Sequence, residues 1–174
     1  PGITVTETEC LDPRVMALNL KIYGFNSRVV NGYSPTETEN SESKKDQFYR
    51  TLQKACKKTE KHEKLIVAGD FNAKTSIAFK KCFYNGRNDI DDDDCNSNGT
   101  RLKEFCMNNH LCISSTYFEY PVENRYTWYS PDKKTKKKND YVLVEPYVQQ
   151  YISACIADPD VDFDSDRRIL ITTL

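Results

Sequence analysis

The stretch Leu65-Ile66-Val67-Ala68-Gly69-Asp70-Phe71-Asn72-Ala73-Lys74 constrains this chain more than any other. Its apolar run reads as a short buried strand from Lys64 to Gly69. The strand ends by delivering a carboxylate, Asp70, and two positions later an amide, Asn72. Two such side chains at the mouth of a sheet are the setting in which metal-assisted phosphate chemistry is often built. An Asp-x-Asn after a strand is also ordinary turn chemistry, so the pair alone does not decide between the two.

The remaining segments say what kind of sheet this strand joins. Val15 to Tyr23 reads as a strand and Phe25 to Val30 as its hairpin partner, turning at Gly24 and stopped by Pro35. After a polar loop, Thr36 to Ser43, residues Lys44 to Lys61 carry Phe48, Leu52, Ala55 and Cys56 at helical spacing, with Ser43 placed to cap. A second helix opens at Asn98-Gly99 with Leu102, Phe105 and Cys106 on its inner face. Short strands follow at Leu111–Ser114, Tyr126–Tyr129, Tyr141–Val144, Ile152–Ala157 and Ile169–Leu174. Strands alternating with two clear helices predict one α/β domain whose sheets pack face to face.

A chain of 174 residues, 38% hydrophobic and 29% charged, is long enough for one domain with its own core. It has no apolar run near 18 residues and no basic-then-apolar leader, so neither a membrane span nor secretion is expected. The net charge of −1 conceals a basic cluster (Lys133, Lys134, Lys136, Lys137, Lys138) and an acidic one (Asp89, Asp91 to Asp94), the latter read as a solvated loop in preference to a metal-binding one. Seven cysteines without a C-x-x-C pair, and only His62 and His110 beside them, predict free thiols in a reducing, intracellular setting without structural zinc.

Further strand ends carry polar groups: Tyr33 before Pro35, Asp140 at the start of Asp140-Tyr141-Val142-Leu143-Val144, and Asp166 before the final strand. With Leu65–Ala73, Tyr126-Thr127-Trp128-Tyr129-Ser130-Pro131-Asp132 and Ser165-Asp166 ahead of Arg168-Ile169-Leu170, their order and spacing resemble the endonuclease/exonuclease/phosphatase superfamily. Within it the chain is most similar to the endonuclease domain of RTE-clade LINE-type retrotransposons. The resemblance implies a four-layer α/β sandwich that hydrolyses a DNA phosphodiester with magnesium or manganese. It casts Asp70 as orienting or deprotonating the attacking water, Asn72 and Tyr33 as phosphate contacts, and Asp166 as lying beside the metal and the base. Asp140 would hold a catalytic histidine, and the five lysines from Lys133 to Lys138 would meet DNA. Trp128 is expected in the core.

The chain departs from that pattern. Where the family closes with S-D-H, this sequence reads Ser165-Asp166-Arg167. An arginine, with a pKa above about 12, does not trade protons near neutrality, and an Asp140–Arg167 ion pair is the expected substitute. The family's metal-ligating Glu, in a Q-E-T-type motif, belongs to a segment upstream of Pro1, which implies a four-layer fold lacking roughly its N-terminal third and left with an open sheet edge. Gly32 before Tyr33, Asn139 before Asp140 and Lys133 in the hairpin also differ from the family. Two readings stand: a magnesium-dependent endonuclease impaired in this copy, or a non-catalytic nucleic-acid-binding remnant. A phosphatase of small phosphoesters fits the T-W-x-S-P-D segment least.

Overall fold

Alternation of apolar residues sets the layers of this molecule. The computed structural model describes residues 2–22, 24–38, 42–75, 86–90, 95–159 and 165–174. Tyr23, Cys82 and the acidic run Asp91 to Asp94 lie outside these residues. Six strands form the main sheet: β1 (Ile3–Asp12), β2 (Val15–Ile22), β3 (Phe25–Tyr33), β4 (Lys64–Asp70), β5 (Cys112–Ile113) and, later in the chain, β8 (Asp140–Val144). Their order across the sheet is β1-β2-β3-β4-β8-β5. Two further pairs are separate: β6 (Trp128–Tyr129) with β7 (Lys136–Lys137), and β9 (Ala154–Ala157) with β10 (Leu170–Thr173).

Along β4, Leu65 and Val67 point into one core while Ile66 points into another; along β8, Tyr141 and Leu143 alternate in the same way with Val142 and Val144. One face is covered by α1 (Glu42–Lys57) and α2 (Ser97–Asn109). These bury the expected Phe48, Leu52, Ala55 and Cys56, and Leu102, Phe105 and Cys106. On the other face a smaller cluster joins Val144 and Cys155 to Val148, at the short helix α3 (Pro146–Gln149), and to Ile152, with Leu170 of β10 packed against it. The layers are therefore helix, sheet and sheet, a mixed α/β sandwich of the expected class.

The hairpin turn falls at Gly24, with φ +93, and pairs Ile22 with Phe25. Helix α1 crosses over Gly32, where a Cβ would come 3.0 Å from Phe48 Cζ, so the missing side chain is what lets the helix settle. Helix α1 begins at Glu42, which puts Ser43 inside its first turn and corrects the expectation that Ser43 caps it. Strand β1 was not anticipated, because Ile3-Thr4-Val5-Thr6-Glu7-Thr8-Glu9 offers little apolar signal. It borders the main sheet with Ile3 and Val5 exposed. The six described cysteines are free thiols, and no helix among the described residues is long and apolar enough to cross a membrane.

Candidate functional site

The registers of three adjacent strands build the site. Tyr33 of β3 lies opposite Asp70 of β4 in parallel pairing, and Asp70 lies opposite Asp140 of β8 in antiparallel pairing. A phenol and two carboxylates thus share one transverse row at the sheet's rim. The row is continued by the backbone, with Ser34 N donating to Asp70 O at 2.8 Å and Phe71 N to Asn139 O at 2.8 Å. Gly69 makes the exit from β4 possible: its φ is +146, and a Cβ there would stand 1.9 Å from Gly32 O.

Of the two readings of Asp70-Phe71-Asn72, the turn is the one these residues display. Asp70 Oδ1 accepts from Asn72 N at 2.9 Å, an Asx turn that carries Asn72 to φ +46. Asp70 Oδ2 meets Arg167 Nη2 at 2.7 Å, approached off the N–H axis, so the contact is an ion pair more than an aligned hydrogen bond. Asn72 Nδ2 donates to Ser34 O, which ties the loop back to the end of β3. Asn96 completes the frame. Its Nδ2 donates to Asn72 O, while its Oδ1 accepts from Lys74 N and from Gly99 N at the start of α2. Sequence reasoning passed over Asn96, although an Asn directly before a helix is a recognisable cap.

The T-W-x-S-P-D segment and the segment from Ser165 to Arg168 turn out to be one hydrogen-bonded unit. Tyr129 N donates to Asp166 O, Arg168 N donates to Thr127 O, and Trp128 bridges to Arg167 between them. Trp128 Nε1 donates to Asp166 Oδ2 at 2.7 Å. Trp128 is half-buried, so the expectation of a core residue is corrected: it positions Asp166. Thr127 is fully buried, and its Oγ1 accepts from both Asn139 N and Asp140 N. Ser130 and Asp132 build the tip of the hairpin, with Lys133 N donating to Ser130 O and Lys134 N to Asp132 Oδ1. Lys133 takes φ +57, a conformation that glycine adopts at least cost.

Arg167 sits between the two carboxylates of the row. Its Nη1 lies 3.5 Å from both Asp140 oxygens, in addition to the Asp70 contact. Burial works against its charge, but Asp70 and then Asp140 outweigh that and hold it protonated above its ordinary range. Asp140 moves the other way. Burial, opposed by the Thr127 hydroxyl and reinforced by Asp70, pushes its carboxyl up to about 6 even with Arg167 alongside. Beside this group a cleft of about 480 Å³ opens between the sheets, lined by Ala68, Val142, Leu170, Ser165, Arg167 and Arg168.

The basic cluster separates into distinct roles. Lys138 is buried and pairs at 2.8 Å with Asp89, itself fully buried and held also by Thr75. That contact corrects its assignment as a DNA-facing residue. Burial opposes the Asp89 charge, yet Lys138 keeps its carboxyl below the usual range. Lys136 pairs with Glu123 and lies over the Tyr126 ring. Lys133, Lys134 and Lys137 are exposed, with Lys137 over the Trp128 ring.

A divalent cation does not fit these residues. Arg167 takes Asp70 Oδ2 and both Asp140 oxygens, the Trp128 indole takes Asp166 Oδ2, and among the described residues no group of three His, Cys, Asp or Glu side chains is placed to hold a metal ion.

No family model matches the sequence. The chain is similar to craniofacial development protein 2 from Bos taurus, 31% identical over 158 residues, which covers 91% of this chain and 26% of that protein. It thus spans about a quarter of the curated relative's length. In structure it is similar to a 3'-5' exonuclease (NExo) from Neisseria meningitidis, with TM-score 0.71, 20% identity, and coverage of 98% of this chain and 71% of the exonuclease. The structural likeness shows the fold, which is that of the endonuclease/exonuclease/phosphatase-type nucleases. The same fold is shared with the endonuclease domain of TRAS1, a telomere-specific non-LTR retrotransposon, at TM-score 0.68 and 16% identity over 99% of this chain and 68% of that domain.

Proposed function

We propose that this chain is a nucleic-acid-binding domain of the DNA endonuclease type, derived from a retrotransposon endonuclease and impaired in phosphodiester cleavage. One observation carries the reading: Tyr33, Asp70 and Asp140 form one row at the sheet rim, and the basic hairpin is hydrogen-bonded to that rim through Asp166 and Arg168. The hydrogen bonds at the base of the hairpin support a single surface for a phosphodiester backbone that meets both the hairpin and the row. Lys133, Lys134 and Lys137 supply charge to its phosphates. The Tyr33 hydroxyl and the Asn72 amide are the neutral donors that meet phosphate oxygens at the rim.

Cleavage needs a group that takes and returns a proton near neutrality, and Arg167 cannot. A second reading rests on Asp140, whose carboxyl at about 6 is poised for that work and would sustain slow hydrolysis. Incubation of the chain with supercoiled plasmid and magnesium tests both. We expect retention of the plasmid in gel shift with no nicking; nicking that Asp70→Ala abolishes would establish the endonuclease instead.

A further inference from the structure

We propose that Arg167 is a resident cation that closes the Asp70–Asp140 pair to divalent metal ions and offers the rim's phosphate contact in their place. This deepens the nucleic-acid reading above and rests on it for the phosphate.

Asp70 and Asp140 stand opposite each other on neighbouring strands, so two carboxylates share one end of the row. Such a pair requires a counter-charge, and the guanidinium supplies it from 2.7 Å on one side and 3.5 Å on the other. A guanidinium meets two carboxylates through several N–H groups, whereas magnesium demands a near-octahedral set of oxygens at closer range. A divalent ion entering this pair must first displace Arg167 and then tolerate its charge nearby.

The backbone that carries the arginine is held from both sides. At Arg167 it bridges to Trp128, and the residues on either side are fastened, Asp166 by Tyr129 N and Trp128 Nε1, Arg168 by its own N–H to Thr127 O. The same fastening turns Asp166 toward the indole and away from service as a third ligand. Yet Arg167 keeps 37% of its side chain exposed and lines the cleft beside Ser165 and Arg168. Part of the guanidinium is engaged by the carboxylates, and part faces solvent, where a phosphate oxygen can approach it.

Manganese serves as the probe, followed by the resonance of the free ion in titrations of the whole chain at neutral pH. Wild type should take up no ion whose binding depends on Asp70. Arg167→Gln, which removes the charge and keeps much of the side chain's bulk, should gain one ion per chain at least about tenfold more tightly. Adding Asp70→Asn to that variant should abolish the gain, and Arg167→Lys, which keeps a cation, should stay closed. Circular dichroism confirms that each variant is folded. An Asp70-dependent ion in wild type, or a folded Arg167→Gln chain that gains none, overturns the closure. In the second arm a labelled deoxyoligonucleotide should bind equally in magnesium and in a chelator, and about tenfold more weakly to Arg167→Gln. Binding that the chelator weakens overturns the phosphate role. An oligonucleotide that binds under no condition overturns the nucleic-acid reading itself, while the manganese titration still decides on closure.

Discussion

Replacing Asp140 by Asn should stabilise this fold, and only at neutral pH. The Asp140 side chain is 24% exposed, and burial, with Asp70 across the row, raises its carboxyl from 3.8 to about 6. Because the folded value lies above the unfolded one, the folded state holds this proton more tightly. The stability so gained is fully present below pH 3.8 and is lost as pH rises through about 6. A difference of about two pH units, at about 1.4 kcal/mol each, makes the ionised carboxylate cost about 3 kcal/mol at neutral pH. Asp140→Asn carries no charge at any pH. Its stability relative to wild type should therefore shift by about 3 kcal/mol in its favour between about pH 3 and pH 7.5. Urea unfolding of both chains at each pH measures that shift. The pH dependence isolates the ionisation, because the shape change and the lost amide-for-acid contacts are the same at both. A relative stability constant to within about 1 kcal/mol would refute the reasoning and mean that Arg167 neutralises the carboxylate fully.

Other changes test separate contacts. Asp89→Asn strands the buried Lys138 charge and should cost about 3–5 kcal/mol in the same unfolding assay. Gly69→Ala puts a Cβ into Gly32 O and should cost at least about 2 kcal/mol, with loss of soluble protein on expression as the first sign. Changing Lys133, Lys134 and Lys137 together to Gln should lower the salt slope of DNA binding by about 2–3, whereas Lys138→Gln should leave the slope alone and lower stability.

How much of this was legible beforehand depends on where each side chain points. The strand from Lys64 to Gly69, which the structure extends to Asp70, the hairpin at Gly24 and the inner faces of both helices follow from apolar periodicity. Strand β1 was invisible because its threonines and glutamates carry no core-facing alternation; it is a strand by virtue of its pairing with β2. The row Tyr33–Asp70–Asp140 was foreseeable as strand ends that share a rim, and the Asp140–Arg167 pair as the substitute for a histidine contact. What the sequence could not reveal was which polar groups are consumed by the scaffold. Lys138 looks like its neighbours in the run, yet strand direction turns it inward onto Asp89 while Lys137 faces out. Trp128 looks like a core residue, yet it and the neighbouring Thr127 are anchors for the ends of other segments. Such assignments need the third dimension, because each partner lies far away in the chain.

The splice between Thr127–Tyr129 and Asp166–Arg168 has a mechanical consequence. The hairpin that reaches outward and the segment that carries the inward arginine are tied into one piece, which Thr127 fastens to β8. The backbone that carries the guanidinium to Asp70 therefore takes its position from the base of the lysine hairpin rather than from its own segment alone.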